Sequence, residues 1–178
     1  MRLVLGTVAV LALLISTGLA VADSPAMPKP LVFASPEGSH YFRLVPSPDF
    51  NEAKAEGYLF RVDADADELI YKTRGWYSFT VLVANGGRGL VRTGPWPSHG
   101  QPPESTPALV FYFDGTESRV FTVADLVKDL SALEHSMSHY SWGGSLRWAN
   151  GGWDGLVQVD TVEGQTIVFD IESAEIVK

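Results

Sequence analysis

Apolar and polar residues alternate with a period of two along most of this chain. In the stretch 76–83, one face carries four apolar side chains: Tyr77, Phe79, Val81 and Val83. The same alternation recurs at 58–62 and at 167–171. This period is typical of a β-strand that turns one face to a core and the other to solvent. The pattern therefore predicts a protein built mainly of β-strands.

Turn residues divide these runs into hairpins. Glycine readily adopts the positive φ that tight turns require, and it occurs between strand-like segments at Gly38, Gly86, Gly115 and Gly164. The predicted hairpins span 31–46, 57–73, 76–94, 108–122 and 155–172, with a further strand near 145–149. Because neighbouring strands are joined locally, we expect an all-β antiparallel meander. Propeller-blade-like hairpins and a two-sheet sandwich both fit this description.

Two segments depart from the strand pattern. The apolar residues between Val123 and Leu133 follow a helical period. Thr122 and Asp125 stand at capping-box positions before them. One inserted α-helix is therefore predicted near 123–134. The stretch 94–107 is rich in proline, which fixes φ and removes backbone donors, so a long surface loop is expected there.

The beginning of the chain has the pattern of a signal peptide. Arg2 precedes a long apolar run, and the small residues at 20–22 fit a signal-peptidase site. We predict a signal peptide at 1–22 that is cleaved after Ala22. Retention as a membrane anchor is the alternative, but the apolar run is short for a span of about 20 residues.

This prediction divides the chain into three parts. A flexible leader is expected at 23–30, followed by a single all-β domain at 31–178. The mature protein would be secreted or periplasmic, with no stable membrane anchor after cleavage. The chain contains no cysteine, which excludes disulfides, thiolate nucleophiles and a lipid-anchoring cysteine. An exported chain without cysteine favours a bacterial source.

The charge of the chain argues against one class of partner. The formal net charge is −8, and such a surface repels phosphate backbones. Nucleic-acid binding is therefore not expected.

Two polar segments contain residue types that bind metals, but each lacks a residue that a known metal-binding motif requires. His135 and His139 are four residues apart, without the neighbouring glutamate of a helical metalloprotease motif. The acidic run 63–68 lacks the glycine of a calcium loop. It fits an exposed hairpin tip better. We predict no metal site and no cofactor.

Nucleophile motifs are missing from the sequence, so no catalytic residue is predicted. Carboxylates that folding brings together could still hydrolyse a substrate, and the available acids are Asp114, Glu117, Asp154 and Asp160. This keeps a hydrolase open as an alternative function.

Tryptophan beside glycine-rich loops gives the best functional indication. The predicted binding residues are Trp96, Trp142, Trp148, Trp153 and His139. Exposed tryptophan can stack on sugar rings or anchor a protein partner, whereas buried tryptophan would only fill a β core. The sequence therefore predicts an exported, non-catalytic binding or interaction domain for an unknown protein or glycan. A structural envelope component is the further alternative.

Four stretches carry a resemblance to known proteins. The segments 75–79, 92–96, 123–129 and 138–142 resemble a secreted bacterial β-rich family of uncharacterised function. The strand–turn phrases at 33–38 and 82–87 are also similar to the Ser-Pro-Asp-Gly hairpins of bacterial propeller repeats. The resemblance implies an exported β-rich protein and brings no activity with it.

Overall fold

The computed structural model describes residues 26–49, 51–143 and 145–177. The predicted signal peptide at 1–22 and positions 23–25 of the predicted leader lie outside these residues. Within the described ranges, no helix is both long enough and apolar enough to span a membrane.

The first two predicted hairpins form a four-stranded antiparallel sheet. Its strands follow chain order: β1 (Leu31–Ala34), β2 (His40–Val45), β3 (Glu56–Arg61) and β4 (Glu68–Arg74). A short 3-10 helix, Glu52–Lys54, lies between β2 and β3. Residues 63–67 of the acidic run lie in the exposed connection between β3 and β4, where Asp67 accepts a hydrogen bond from the Tyr41 hydroxyl at 2.7 Å.

The next two hairpins form the second sheet, again in chain order. Its strands are β5 (Val81–Val83), β6 (Gly89–Thr93), β7 (Pro107–Phe113) and β8 (Thr116–Thr122). The long connection between β6 and β7 contains the proline-rich segment.

The remaining strands form a two-stranded and a three-stranded sheet. The small sheet pairs β9 (Glu134–His135) with β10 (Tyr140–Ser141). The third large sheet contains β11 (Arg147–Trp148), β12 (Leu156–Asp160) and β13 (Thr166–Asp170). Isolated bridges from Gly143 to Thr161 and from Phe169 to Ile176 extend it. The prediction of an all-β antiparallel fold is confirmed.

The three large sheets stack face to face, and the middle one is covered on both sides. Successive side chains of a strand point to opposite faces. Along β7, Val110 and Tyr112 pack into a core shared with the first sheet, which includes Phe42. Phe111 packs into the other core, together with Phe169 of the third sheet. Neighbouring sheets therefore pack against each other as in a β-sandwich. One core lies between the first and second sheets, and another lies between the second and third.

The inserted helix is present but shorter than predicted. The helix α1 covers only Val123–Leu126, and a separate 3-10 helix covers Leu130–Ala132. Its beginning agrees with the sequence, since Thr122 and Asp125 form the expected capping box. The prediction that one α-helix continues to about 134 is wrong.

A carboxylate from the third sheet explains why the helix ends. The Glu163 side chain lies beside the chain after α1 and accepts hydrogen bonds from the N–H groups of Lys128 and Asp129, both at 2.9 Å. In a continued helix, carbonyl groups four residues earlier would take these N–H groups. The tertiary contact competes with helical bonding, and the helical period of the sequence does not reveal it.

The strand predicted over 76–83 is also shorter in the structure. Regular pairing begins only at Val81. Before it, the Ser78 hydroxyl donates to the Thr80 carbonyl at 2.9 Å and accepts from the Thr80 N–H at 3.2 Å. Such local bonds compete with strand pairing. As a result Tyr77 is buried but Phe79 is 43% exposed, so the two side chains do not share a core face.

Turns from all three sheets meet at one end of the stack. The Glu37 N–H donates to the Asn85 side-chain oxygen at 3.1 Å, and the Gly86 N–H donates to the Glu37 carboxylate at 3.0 Å. The Asn85 amide also donates to the Gly152 carbonyl at 3.4 Å. Hydrogen bonds from Ser39 and Gly86 lower the pKa of Glu37. These contacts tie the sheets together and leave the opposite end to irregular segments.

Candidate functional site

A cleft of about 790 Å³ lies at the end of the stack opposite these turns, where β5 begins and β6 ends. Three segments that are distant in sequence supply most of its lining, and Ala26 and Glu52 border it as well. The three are the residues before β5, the end of β6 with the start of the β6–β7 connection, and the small sheet β9–β10 with the residues that follow it. Five aromatic side chains belong to the lining: Tyr77, Phe79, Trp96, Tyr140 and Trp142.

Tyr77 and Phe79 form the part of the lining that precedes β5. Their ring centroids are 5.2 Å apart in an edge-to-face arrangement. The Tyr77 hydroxyl donates to the Lys29 carbonyl at 2.8 Å and accepts from the Lys29 N–H at 3.1 Å. These bonds hold the leader beside the cleft, so that Ala26 borders it.

Trp96 and His139 form a second part of the lining. Their ring centroids are 4.9 Å apart, and the Trp96 side chain is 47% exposed. Backbone pairing brings them together, because Ser98 forms a bridge with His139 and the Tyr140 N–H donates to the Pro97 carbonyl at 3.1 Å. The proline-rich loop is therefore attached to the small sheet on the side of the cleft.

Tyr140 and Trp142 are the most deeply buried aromatic residues of this second part of the cleft. The Tyr140 side chain is only 3% exposed, and within the described residues its hydroxyl has no hydrogen-bond partner. The His135 ring lies 5.8 Å from the Tyr140 ring. A buried hydroxyl without a partner is costly, and this one is enclosed by the core and not accessible from the cleft.

Two carboxylates give the cleft its charge. Glu52, from the 3-10 helix before β3, and Glu134, from β9, both line it. Among the described residues that line the cleft, none is a lysine or an arginine. The cleft therefore combines aromatic rings with negative charge.

The structure separates the five predicted binding residues into two groups. Trp96, Trp142 and His139 line the cleft. Trp148 and Trp153 lie at the turn end of the stack, although they are close to Trp142 in sequence. A Cβ atom built on Gly152 would lie 2.7 Å from the Trp148 ring and 2.3 Å from Pro36, so Trp148 packs beside that turn. The Trp153 side chain is 73% exposed.

Sequence reasoning missed several residues of the cleft. The period of two assigns Tyr77 and Phe79 to one core face; Tyr77 is indeed buried in the core and also borders the cleft, whereas Phe79 is exposed there. The sequence pattern does not single out Tyr140, Glu52 or Glu134. The sequence position of Glu134 could have indicated it, because Glu134 directly precedes His135, one of the two candidate histidines. The assembly itself depends on pairing between distant segments, which the local pattern does not show.

The two candidate histidines lie on a hairpin and not on a helix. His135 pairs with Tyr140, and His139 belongs to the turn between β9 and β10. In the part of the chain that the structure describes, no group of three histidine, aspartate or glutamate side chains is arranged to hold a metal.

The four acids of the hydrolase alternative lie outside the cleft, and three of them have partners of their own. Asp114 pairs with Arg88 at 2.8 Å, and Asp160 pairs with Arg147 at 2.6 Å. Asp154 accepts from the Asn150 amide at 2.7 Å. These hydrogen bonds lower the pKa of each of the three carboxyls. Glu117 lies exposed on β8.

Comparison with known proteins gives no family. No family model matches the sequence, and no curated protein matches it.

Proposed function

We propose that this protein is an exported, non-catalytic binding domain and that the aromatic cleft is its ligand site. The observation that carries the proposal is the exposure of Trp96 and Phe79 on the lining of one concave site. Ligand sites are typically concave, mostly apolar and supplied with a few polar groups. Partly exposed aromatic rings in such a place supply contact area to a glycan or to a protein segment.

The alternatives have less support. The four acids that the sequence offers for a hydrolase lie outside the cleft, and three of them bind arginine or asparagine side chains, so they give that alternative no support. A purely structural role gives no reason for exposed aromatic rings on the lining of a cleft.

Export is part of the proposal and has its own test. Mass spectrometry of the protein purified from the expressing cell should give a chain that begins at Asp23, since cleavage is expected after Ala22. Recovery of the uncleaved chain from the cytoplasm would contradict export.

A ligand screen with matched tryptophan variants tests the site. Purified protein is screened by intrinsic fluorescence against glycans and extended peptides, and each hit is repeated with Trp96→Ala and Trp153→Ala. Loss of a central aromatic contact typically weakens binding by about tenfold or more. We expect that loss for Trp96→Ala. Trp153→Ala, at the opposite end, should bind normally. Hits that depend on Trp153 and not on Trp96 would contradict the proposed site.

A further inference from the structure

We propose that the cleft selects an organic cation, a small ligand whose ammonium or trimethylammonium group lies against the aromatic rings. This inference rests on the proposed binding function and adds the charge of the ligand. It depends on two features of the cleft: partly exposed aromatic rings and carboxylates without a positive partner.

The partly exposed rings of Trp96 and Phe79 are available to a cation in the cleft. A positive group within about 6 Å of a ring centroid is attracted by the negative face of the ring, most strongly for tryptophan. The protein uses this contact elsewhere, because the Arg92 guanidinium lies 4.8 Å from the Trp76 ring and the Arg88 guanidinium lies 4.3 Å from the Phe113 ring. Within the described residues, no lysine or arginine covers Trp96 or Phe79 in this way.

The carboxylates of the cleft lack a positive partner. Neither Glu52 nor Glu134 forms an ion pair in the described part of the chain, although five other ion pairs occur there. The charge of the whole chain, −8, adds to the negative potential. An anionic ligand would meet repulsion from both carboxylates, and a neutral ligand would gain nothing from them. A cation is attracted by both, and aromatic rings with a nearby carboxylate suit an alkylated ammonium group.

Size narrows the ligand further. A volume of about 790 Å³ is within the range of small-molecule sites. An amine of low molecular mass satisfies this condition.

A pair of ligands that differ only in charge tests this inference. Choline and its neutral isostere 3,3-dimethylbutan-1-ol have almost the same shape, and both are titrated into the purified protein by calorimetry. Tetramethylammonium and spermidine extend the panel. We expect at least one cation to bind, and choline to bind about tenfold more tightly than the isostere, which is the range of a desolvated cation–ring contact.

Matched variants locate the charge effect. Glu134→Gln and Glu52→Gln should each weaken cation binding by roughly threefold to tenfold and leave binding of the isostere unchanged. Glu117→Gln is the control, because Glu117 is an exposed glutamate outside the cleft. Both cleft glutamates are exposed, so the variants are expected to fold.

The outcomes separate this inference from the proposed function. Equal affinity for choline and its isostere, or no binding of any cation up to about 10 mM, would overturn the cation assignment. If a neutral glycan or a peptide then binds in a manner that depends on Trp96, the proposed function stands without the cation. If no ligand of any charge depends on Trp96, both are wrong.

Discussion

Removal of the Phe111 side chain should test the stacking of the three sheets. Phe111 lies on β7 of the middle sheet, is fully buried, and has ring centroids 5.9 Å from Phe121 and 5.5 Å from Phe169. Truncation of a buried phenylalanine to alanine costs about 3–5 kcal/mol. Two aromatic pairs, each contributing about 0.5–1.5 kcal/mol, place Phe111→Ala in the upper part of that range, at about 4–5 kcal/mol.

The expected loss is large enough to measure directly. For a domain of this size, each kcal/mol lowers the melting midpoint by about 2–4 °C, which gives a decrease of roughly 8–20 °C for Phe111→Ala. Urea unfolding at 25 °C, followed by tryptophan fluorescence, gives the free energy of unfolding. Phe79→Ala is the matched control, since Phe79 is 43% exposed and should cost at most about 1 kcal/mol.

The difference in unfolding free energy between the two variants tests whether the third sheet covers the middle sheet. A cost for Phe111→Ala below about 2 kcal/mol, or one equal to that of Phe79→Ala, would mean that the third sheet does not cover the middle sheet. The description of two cores would then be wrong.

Three further perturbations have definite expected results. Gly94→Ala would place a Cβ atom 1.7 Å from the Pro107 carbonyl oxygen, so thermal melting should show a loss of about 1–3 kcal/mol; an unchanged midpoint would contradict the close approach of these segments. Thr122→Ala removes the helix cap and should cost about 1 kcal/mol in urea unfolding, whereas Thr122→Ser should retain most of the stability. Hydrogen bonds from Thr122 lower the pKa of Asp125, and the Arg88 side chain lowers the pKa of Asp114. A carboxyl whose pKa is lowered in the folded state stabilises the fold above its unfolded pKa of about 4. It loses that contribution as the pH falls. Melting midpoints should therefore decline between about pH 4 and pH 2, and a constant midpoint would contradict this linkage.

The strands were predictable because burial of one face leaves a local signature. β3 and β12 alternate buried and less buried residues, and such strands show a period of two in the sequence. The middle sheet differs, since β7 is buried on both faces and reads as a continuous apolar run. Even so, the turns that flank β7 were sufficient to place this strand in the correct hairpin.

The errors have two physical causes. The helical period after Leu126 is present in the sequence, but the distant Glu163 captures the N–H groups that would continue the helix, and no window of a few residues contains both competitors. Phe79 fits a strand pattern, but the neighbouring Ser78 hydroxyl bonds to the backbone of Thr80 and strand pairing begins later. There, a local side-chain bond competes with the strand period.

The candidate site shows the same limitation more strongly. Trp96 and His139 are 43 positions apart and meet because the proline-rich loop pairs with the small sheet. Trp142 and Trp148 are only six positions apart, but they lie at opposite ends of the stack. Residue type identified candidate binding side chains, whereas the topology decided which of them share a cleft.

The interlocked turns around Glu37, Asn85 and Gly152 have a consequence for protein engineering. They clamp the three sheets at the end remote from the cleft, while Tyr140 and Trp142 pack into the core behind it. Randomised libraries confined to the exposed positions 96, 134, 135 and 137 should therefore generate new recognition properties on an unchanged scaffold, much as antibodies diversify their loops on a constant framework.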